Sequence, residues 1–165
     1  MLVGILSDSH GDADATQRAV TLLAERGAQA FFHCGDVCNE RVLDTLIGRQ
    51  AWFVWGNCDV PDAATRRYVE GIGLKWPDLP LRVSLASRRI GMWHGHERGF
   101  RDDIVAGDLD YVFYGHTHKR DDQRHGTLRA INPGALFRAD VRTVALLDLA
   151  GDSLNFLTLD GRRVP

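Results

Sequence analysis

Cysteine is scarce: Cys34, Cys38 and Cys58 are the only three in 165 residues. An odd count without a secretory context argues against a disulfide framework and makes reduced thiols the expectation. Long apolar runs are missing as well. The opening MLVGIL meets Asp8 too soon for a signal peptide, and no later stretch approaches the length of a transmembrane helix. A cytoplasmic protein with no membrane partner is expected. Charge of one sign is also lacking, since 20 Lys and Arg against 22 Asp and Glu leave a net charge of −2. That balance gives no field for nonspecific nucleic-acid binding, so no dedicated nucleic-acid-binding region is expected, and any attraction for phosphate has to be local. Repeats, low-complexity tracts and linkers are absent, and the length suits one domain over residues 1–165.

What is present begins as an alternation of strand and helix. LVGIL (2–6) is a short apolar run of strand character. A helix follows with Asp12 or Asp14 as N-cap, Ala19, Val20, Leu23 and Ala24 on one face, and Gly27 as its stop. AQAFFH (28–33) predicts a second strand. Asn39 caps a short helix with Val42, Leu43, Leu46 and Ile47 on its buried face, and AWFVW (51–55) predicts a third strand. Such repetition implies parallel strands with right-handed crossovers. Later the pattern changes. LRVSLASRRIGMW (81–93) predicts two strands around a turn, and a short helix is expected near 100–106. Further strands are expected at YVFY (111–114), LRAIN (128–132), VRTVALLDL (141–149) and LNFLTLD (154–160). The segment 60–80 holds three of the five prolines and is expected to be a loop with marginal structure. The expected architecture is two packed mixed sheets with helices outside.

Polar residues of metal-ligand type gather at the C-terminal ends of these strands. Strand one runs into SDSH (Asp8, His10), strand two into HCGD (Asp36) and strand three into WGNCD (Asn57, Asp59). The strand ending at Trp93 runs into HGH (His94, His96), and YVFY into GHTH (His116, His118). The C-terminal strand ends of an open α/β sheet form its ligand crevice. Each piece alone has an ordinary reading as a capping Asp, a turn Asn or a surface histidine pair. Taken together, five segments deliver carboxylate, carboxamide and imidazole groups to one edge, which is the pattern of a shared metal site. Oxygen and imidazole donors without thiolates favour manganese, iron, zinc, nickel or cobalt over a structural zinc site. Seven donors exceed one tetrahedral ion and suit two divalent ions bridged by a carboxylate, spaced roughly 3.5–4 Å apart as in binuclear hydrolases.

The ordered set D-x-H, G-D, G-N-x-D, H-G-H, G-H-x-H resembles the calcineurin-like metallophosphoesterase superfamily, and among its members the small single-domain phosphodiesterases of bacteria and archaea. INPGAL (131–136) is similar to the N-P-G loop of that branch. The resemblance implies a four-layer αββα sandwich of two mixed β-sheets. It implies two transition-metal ions, manganese foremost, with Asp8, His10, Asp36 and His118 on the first. Asp36, Asn57, His94 and His116 would hold the second, with Asp36 bridging. It further implies phosphodiester hydrolysis by in-line attack of a bridging hydroxide on a small phosphodiester or nucleotide-like substrate.

One position departs from many members of the superfamily, where a histidine after the motif asparagine protonates the leaving group. Here it is Cys58. His96 and Asp59 are therefore the candidate catalytic side chains beside the ligands, with a solvated loop histidine and a loop-orienting carboxylate as their alternatives. His33 is expected to be a satisfied core or supporting histidine and His125 a surface one. Phosphomonoesterase or nucleotide pyrophosphatase activity on the same site is the nearest alternative. A non-catalytic scaffold like the retromer subunit of this fold is another, and the fully occupied ligand positions argue against it. A homo-oligomer is left open.

Overall fold

The computed structural model describes residues 1–106 and 108–164. Among the described residues, eleven strands and four helices follow one another as β1 (Leu2–Leu6), α1 (Ala13–Glu25), β2 (Ala30–His33), α2 (Glu40–Asp44), β3 (Ala51–Phe53), α3 (Ala63–Gly71), β4 (Leu81–Leu85) and β5 (Arg88–Met92). Then come α4 (Gly99–Ala106), β6 (Tyr111–Phe113), β7 (Arg120–His125), β8 (Leu128–Pro133), β9 (Thr143–Asp148), β10 (Ser153–Thr158) and β11 (Arg163–Val164). Among the described residues no helix is long and apolar enough to cross a membrane.

Two mixed sheets result, with strand orders β11-β10-β9-β1-β2-β3 and β4-β5-β6-β8-β7. In the first, β1, β2 and β3 run parallel; in the second, β5, β6 and β8 do. The period of two in β1 sorts its side chains. Val3 and Ile5 face the second sheet, in a core with Phe32, Ile90, Met92 and Phe113. Leu6 faces the helices, joining Val20, Leu23, Phe31, Leu43 and Val69. A third core packs Val112, Leu128 and Ala130 against Phe100 and Ile104 of α4. Three apolar interfaces between four layers make the αββα sandwich.

The helices begin where the caps predict. Asp12 accepts from Ala15 N–H at 2.9 Å and Asn39 from Arg41 N–H at 3.0 Å. The segment 60–80 departs from the loop expected there. It contains α3, opened by Asp62, whose Oδ1 accepts from the N–H groups of Ala64 and Thr65. Only Val69 of that helix is fully buried, worth about 2 kcal/mol, so the cap carries a large share of its definition. Ile47 is also a correction, because α2 ends at Asp44 and leaves that side chain half exposed. Strands β7 and β11 have no counterpart in the sequence-based expectation, and β3 stops at Phe53 rather than Trp55.

Candidate metal centre

The parallel strands of both sheets point their C-terminal ends to the same edge. Chain reversal there is abrupt. Asp8, His10, Asp36, His116 and His118 all have positive φ, between 42° and 69°. Left-handed backbone is costly for residues with a Cβ, and Asp and His are among those that tolerate it best. Five of the seven expected ligands therefore share one strained turn conformation, which is a mark of functional sites. The turns are tied to one another: Asp8 N–H donates to Gly35 C=O at 3.0 Å and His10 N–H to Asp36 C=O at 2.9 Å.

The side chains then fall into two groups. In the first, His118 Nε2 lies 3.4 Å from Asp8 Oδ1, His10 Nε2 lies 3.1 Å from His118 Nε2, and His10 Nε2 lies 3.4 Å from Asp36 Oδ2. Donor atoms of Asp8, His10, Asp36 and His118 all lie within 4.8 Å of one another. In the second group, Asn57 Oδ1 is 2.8 Å from His116 Nδ1 and 3.1 Å from His94 Nε2. Asp36 Oδ2 closes this group as well, 3.4 Å from His94 Nε2. One carboxylate oxygen thus contacts both groups.

The chemistry of these contacts fits a cation. His94 Nδ1 meets the carbonyl oxygen of Cys34 at 2.8 Å and must donate to it. In the neutral ring, Nε2 is then a lone pair aimed at the oxygens of Asn57 and Asp36. Acceptors facing acceptors repel unless something positive lies between them. Electrostatics agree. Burial alone would depress the His94 pKa, but the Asp36 hydrogen bond and the Cys34 carbonyl outweigh it and raise it. Burial acts against the Asp36 anion, yet His94 and the Cys58 N–H hold its carboxyl well below the usual range. Asp8, fully buried, is pushed up chiefly by burial. Metal ions themselves are expected from the fold family, and these residues suit them.

Close packing explains why glycines accompany the ligands. A Cβ on Gly56 would sit 2.1 Å from Asp36 Oδ1, and one on Gly115 would sit 1.9 Å from Ser7 Oγ and 2.7 Å from Asp8 Oδ2. Asp59, weighed above as a catalytic group, has its carboxylate committed to backbone. It accepts from the N–H groups of Val37 at 3.1 Å, Cys38 at 2.6 Å and Gly56 at 2.7 Å, tying the β2 and β3 loops together. His96 is exposed, with Nδ1 3.6 Å from Glu97 Oε2 and its ring beside those of His94 and His116. The Cys38 thiol is pushed up to about 12 by burial and then by Asp59, and that of Cys58 is raised in the same way, by burial and then Asp36. Cys34 is buried and its thiol is raised further by burial. His125 is exposed at the end of β7.

His33 is a satisfied buried histidine with a supporting place. Gly35 N–H donates to its Nδ1 at 3.3 Å, so Nε2–H donates to Ser9 Oγ at 2.6 Å, and Thr16 Oγ1 donates to Ser9 Oγ at 3.0 Å. Burial holds its pKa down, at about 3. Two anchors were not anticipated in these roles. Glu97 accepts from His94 N–H at 3.0 Å and Gly95 N–H at 2.7 Å, bracing the HGH turn. Asn132 donates to Gly115 C=O at 2.7 Å and accepts from Gly134 N–H at 2.9 Å, pinning GHTH to the N-P-G loop. The acid directly after HGH was the available signal for Glu97.

Known proteins share this fold. The family description "Calcineurin-like phosphoesterase superfamily domain" matches residues 1–152. The chain is similar to phosphodiesterase MJ0936 of Methanocaldococcus jannaschii, with 25% identity over 154 residues that cover 90% of this chain and 93% of that one. Its fold matches the structure of a novel archaeal phosphodiesterase with a TM-score of 0.86 at 23% identity, covering 96% of this chain and 99% of the other. It also matches wild-type Vps29 of Entamoeba histolytica complexed with Zn²⁺, with a TM-score of 0.67 at 23% identity and coverage of 99% and 96%. A family match over residues 1–152, on an αββα sandwich shared over nearly the whole chain, leads to one conclusion: the chain belongs to the calcineurin-like phosphoesterase superfamily and carries its phosphoric ester hydrolase domain.

Proposed function

We propose that residues 1–165 form one phosphodiesterase domain in which seven side chains hold two divalent metal ions. Asp8, His10, Asp36 and His118 hold one, and Asp36, Asn57, His94 and His116 the other. The reading rests on one observation, the 3.4 Å approach of Asp36 Oδ2 to both His10 Nε2 and His94 Nε2. Oxygen and imidazole donors suit manganese, with iron, zinc, nickel or cobalt as alternatives. When bound, the ions would supply Lewis acidity toward the phosphoryl oxygens and a water acidic enough to attack phosphorus near neutral pH.

The chain's own residues do the rest. Asp8 and Asp36 contribute the negative charge of the site. The Cys34 carbonyl fixes the tautomer of His94 and keeps its Nε2 lone pair inward. Asp59 and Glu97 hold the loops that place Asn57, His94 and His96. Cys58, its thiol raised above the ordinary range, is poorly matched to proton donation at neutral pH. His96 is the group on this rim that can hand a proton to the leaving oxygen. The fold likeness to Vps29 keeps a scaffold as the second reading, and the complete donor set favours the enzyme.

The test couples metal analysis to turnover of a phosphodiester series graded by leaving-group pKa. Wild type is expected to carry two equivalents of metal and Asp36→Ala to lose both metal and activity. Asp36→Ala protein with two equivalents and normal turnover would sink the assignment. A leaving-group dependence that steepens in His96→Ala identifies His96 as the acid, and one unchanged by both His96→Ala and Cys58→His excludes it.

A further inference from the structure

A cavity of about 430 Å³ opens beside the centre, between the loops that follow β2 and β3. Val37, Leu43, Trp55, Val60 and Pro61 give it apolar walls, and Cys38 and Cys58 line its side toward the centre. The connection is close: Cys38 Sγ lies 3.9 Å from His10 Nδ1 and 3.8 Å from the Cys58 carbonyl, and Cys58 N–H donates to Asp36 Oδ1 at 2.9 Å. Its charged lining is acidic, Glu40 and Asp59, and among the described lining residues there is no Lys, Arg or His. On the other flank, a cavity of about 350 Å³ starts at His118 and is lined by Lys119, Arg120 and Asp140. Holding metal requires none of the apolar walls. Val60 stands 93% exposed at the rim, a position where an apolar ligand would gain by covering it.

We infer that the cavity between the β2 and β3 loops receives one ester arm of the substrate, and that this arm is uncharged and carries an aromatic ring. The inference deepens the phosphodiesterase reading and rests on it. Burial of a flat ring against Trp55, Val60 and Pro61 removes apolar surface from water and allows offset or edge contacts with the indole. An anionic arm would meet Glu40 and Asp59 with no cation in the lining, so the same walls reject it.

The test uses inert phosphonate monoesters on metal-loaded protein. Binding is read by competition against bis(p-nitrophenyl) phosphate turnover and by tryptophan fluorescence. Methyl phenylphosphonate is expected to bind on the order of ten-fold more tightly than methyl methylphosphonate, the scale of discrimination an apolar pocket supplies. Val60→Asp should bring that ratio toward one, and Val60→Leu should keep it. Methyl 4-carboxyphenylphosphonate should lose the advantage, and Glu40→Lys should return part of it. A wild-type ratio of one, or a ratio that answers to Lys119→Asp and ignores Val60→Asp, overturns the assignment. Diester turnover with a ratio of one would overturn the pocket alone. The predicted ratio without turnover of any diester would overturn the phosphodiesterase reading instead.

Discussion

Two polar clusters sit at opposite ends of the sandwich, and they are built on opposite rules. At the N-terminal ends of the parallel strands of the second sheet, Arg129 is 7% exposed, and its Nε and Nη2 donate to the two oxygens of Asp122 at 2.7 and 2.8 Å. Its Nη1 donates to Asp152, which also accepts from Tyr111 and Arg124. Cations meet anions there, and the group is closed. At the C-terminal ends, two carboxylates, a carboxamide and four imidazoles converge, with the oxygens of Asn57 and Asp36 facing Nε2 of His94. The difference is one of completion. A buried polar network with matched partners stabilises a single packing, whereas a set of facing acceptors is completed only by something that arrives from outside.

Substitutions at the two ends should therefore have crossed effects. The largest is expected for Asp36→Ala. Turnover should fall on the order of a thousand-fold, equal to about 4 kcal/mol of barrier, while the melting temperature of chelator-treated protein moves little. Arg129→Met should do the reverse. Stability should drop by about 1–3 kcal/mol, because Asp122 and Asp152, each a third exposed, lose the hydrogen bonds of a buried cation, with turnover retained at temperatures where the variant is folded. Denaturation with chelator and turnover at a permissive temperature measure both. An Arg129→Met protein as inactive as Asp36→Ala would erase the contrast.

A smaller effect sharpens the boundary of the open cluster. His33 touches none of the proposed metals, yet it links the Ser9 and Gly35 turns on which Asp8, His10 and Asp36 sit. His33→Leu is expected to weaken metal binding about 10–100-fold, the usual scale for groups that orient ligands, and His33→Gln should recover part of it. Metal titration that finds wild-type affinity in His33→Leu would confine the site to its donors.

The smallest effect concerns acid. Burial would raise the Asp152 pKa, but hydrogen bonds from Arg124, Arg129 and Tyr111 outweigh it and hold it at about 2, against 3.8 unfolded. Its contribution is thus fully present above 3.8 and is lost as pH falls through about 2. The side chain is a third exposed, so the contribution is on the order of 1 kcal/mol after screening. In chelator, Asp152→Asn should remove that portion of the acid sensitivity between pH 4 and 2. Identical stability curves for the two proteins would show that the closed cluster does not depend on ionised Asp152.

The metal end was the more legible of the two. Its ligands follow short apolar strands and stand next to glycines, and both signals have physical causes: the donors must cluster at strand ends, and Gly56 and Gly115 must admit neighbouring oxygens within a Cβ radius. The β1–α1–β2 start was legible from periodicity and the Asp12 cap. By contrast, β7 reads RDDQRH. It is an edge strand paired on one side, largely exposed, and so carries no alternation. Helix α3 was obscured by Pro61 and Pro77 around it and by a face that buries only Val69. The Arg129 cluster draws its members from four separate strands or turns, and nothing local in sequence marks them as partners. Asn132 acts through a backbone group of another turn, which no spacing rule reveals, whereas Glu97 stands directly after the HGH it braces.

The two sheets also divide the donors between them. Asp8, His10, Asp36 and Asn57 follow strands of the first sheet, and His94, His116 and His118 follow strands of the second. A cation gripped from both sides would act as a rivet through the lips of the sandwich. Sliding one sheet over the other would then require tearing ligands from the ion, so the free energy of binding would become shear resistance added to that of the hydrogen bonds His94 and His116 make to Cys34 and Asp8 across the same edge.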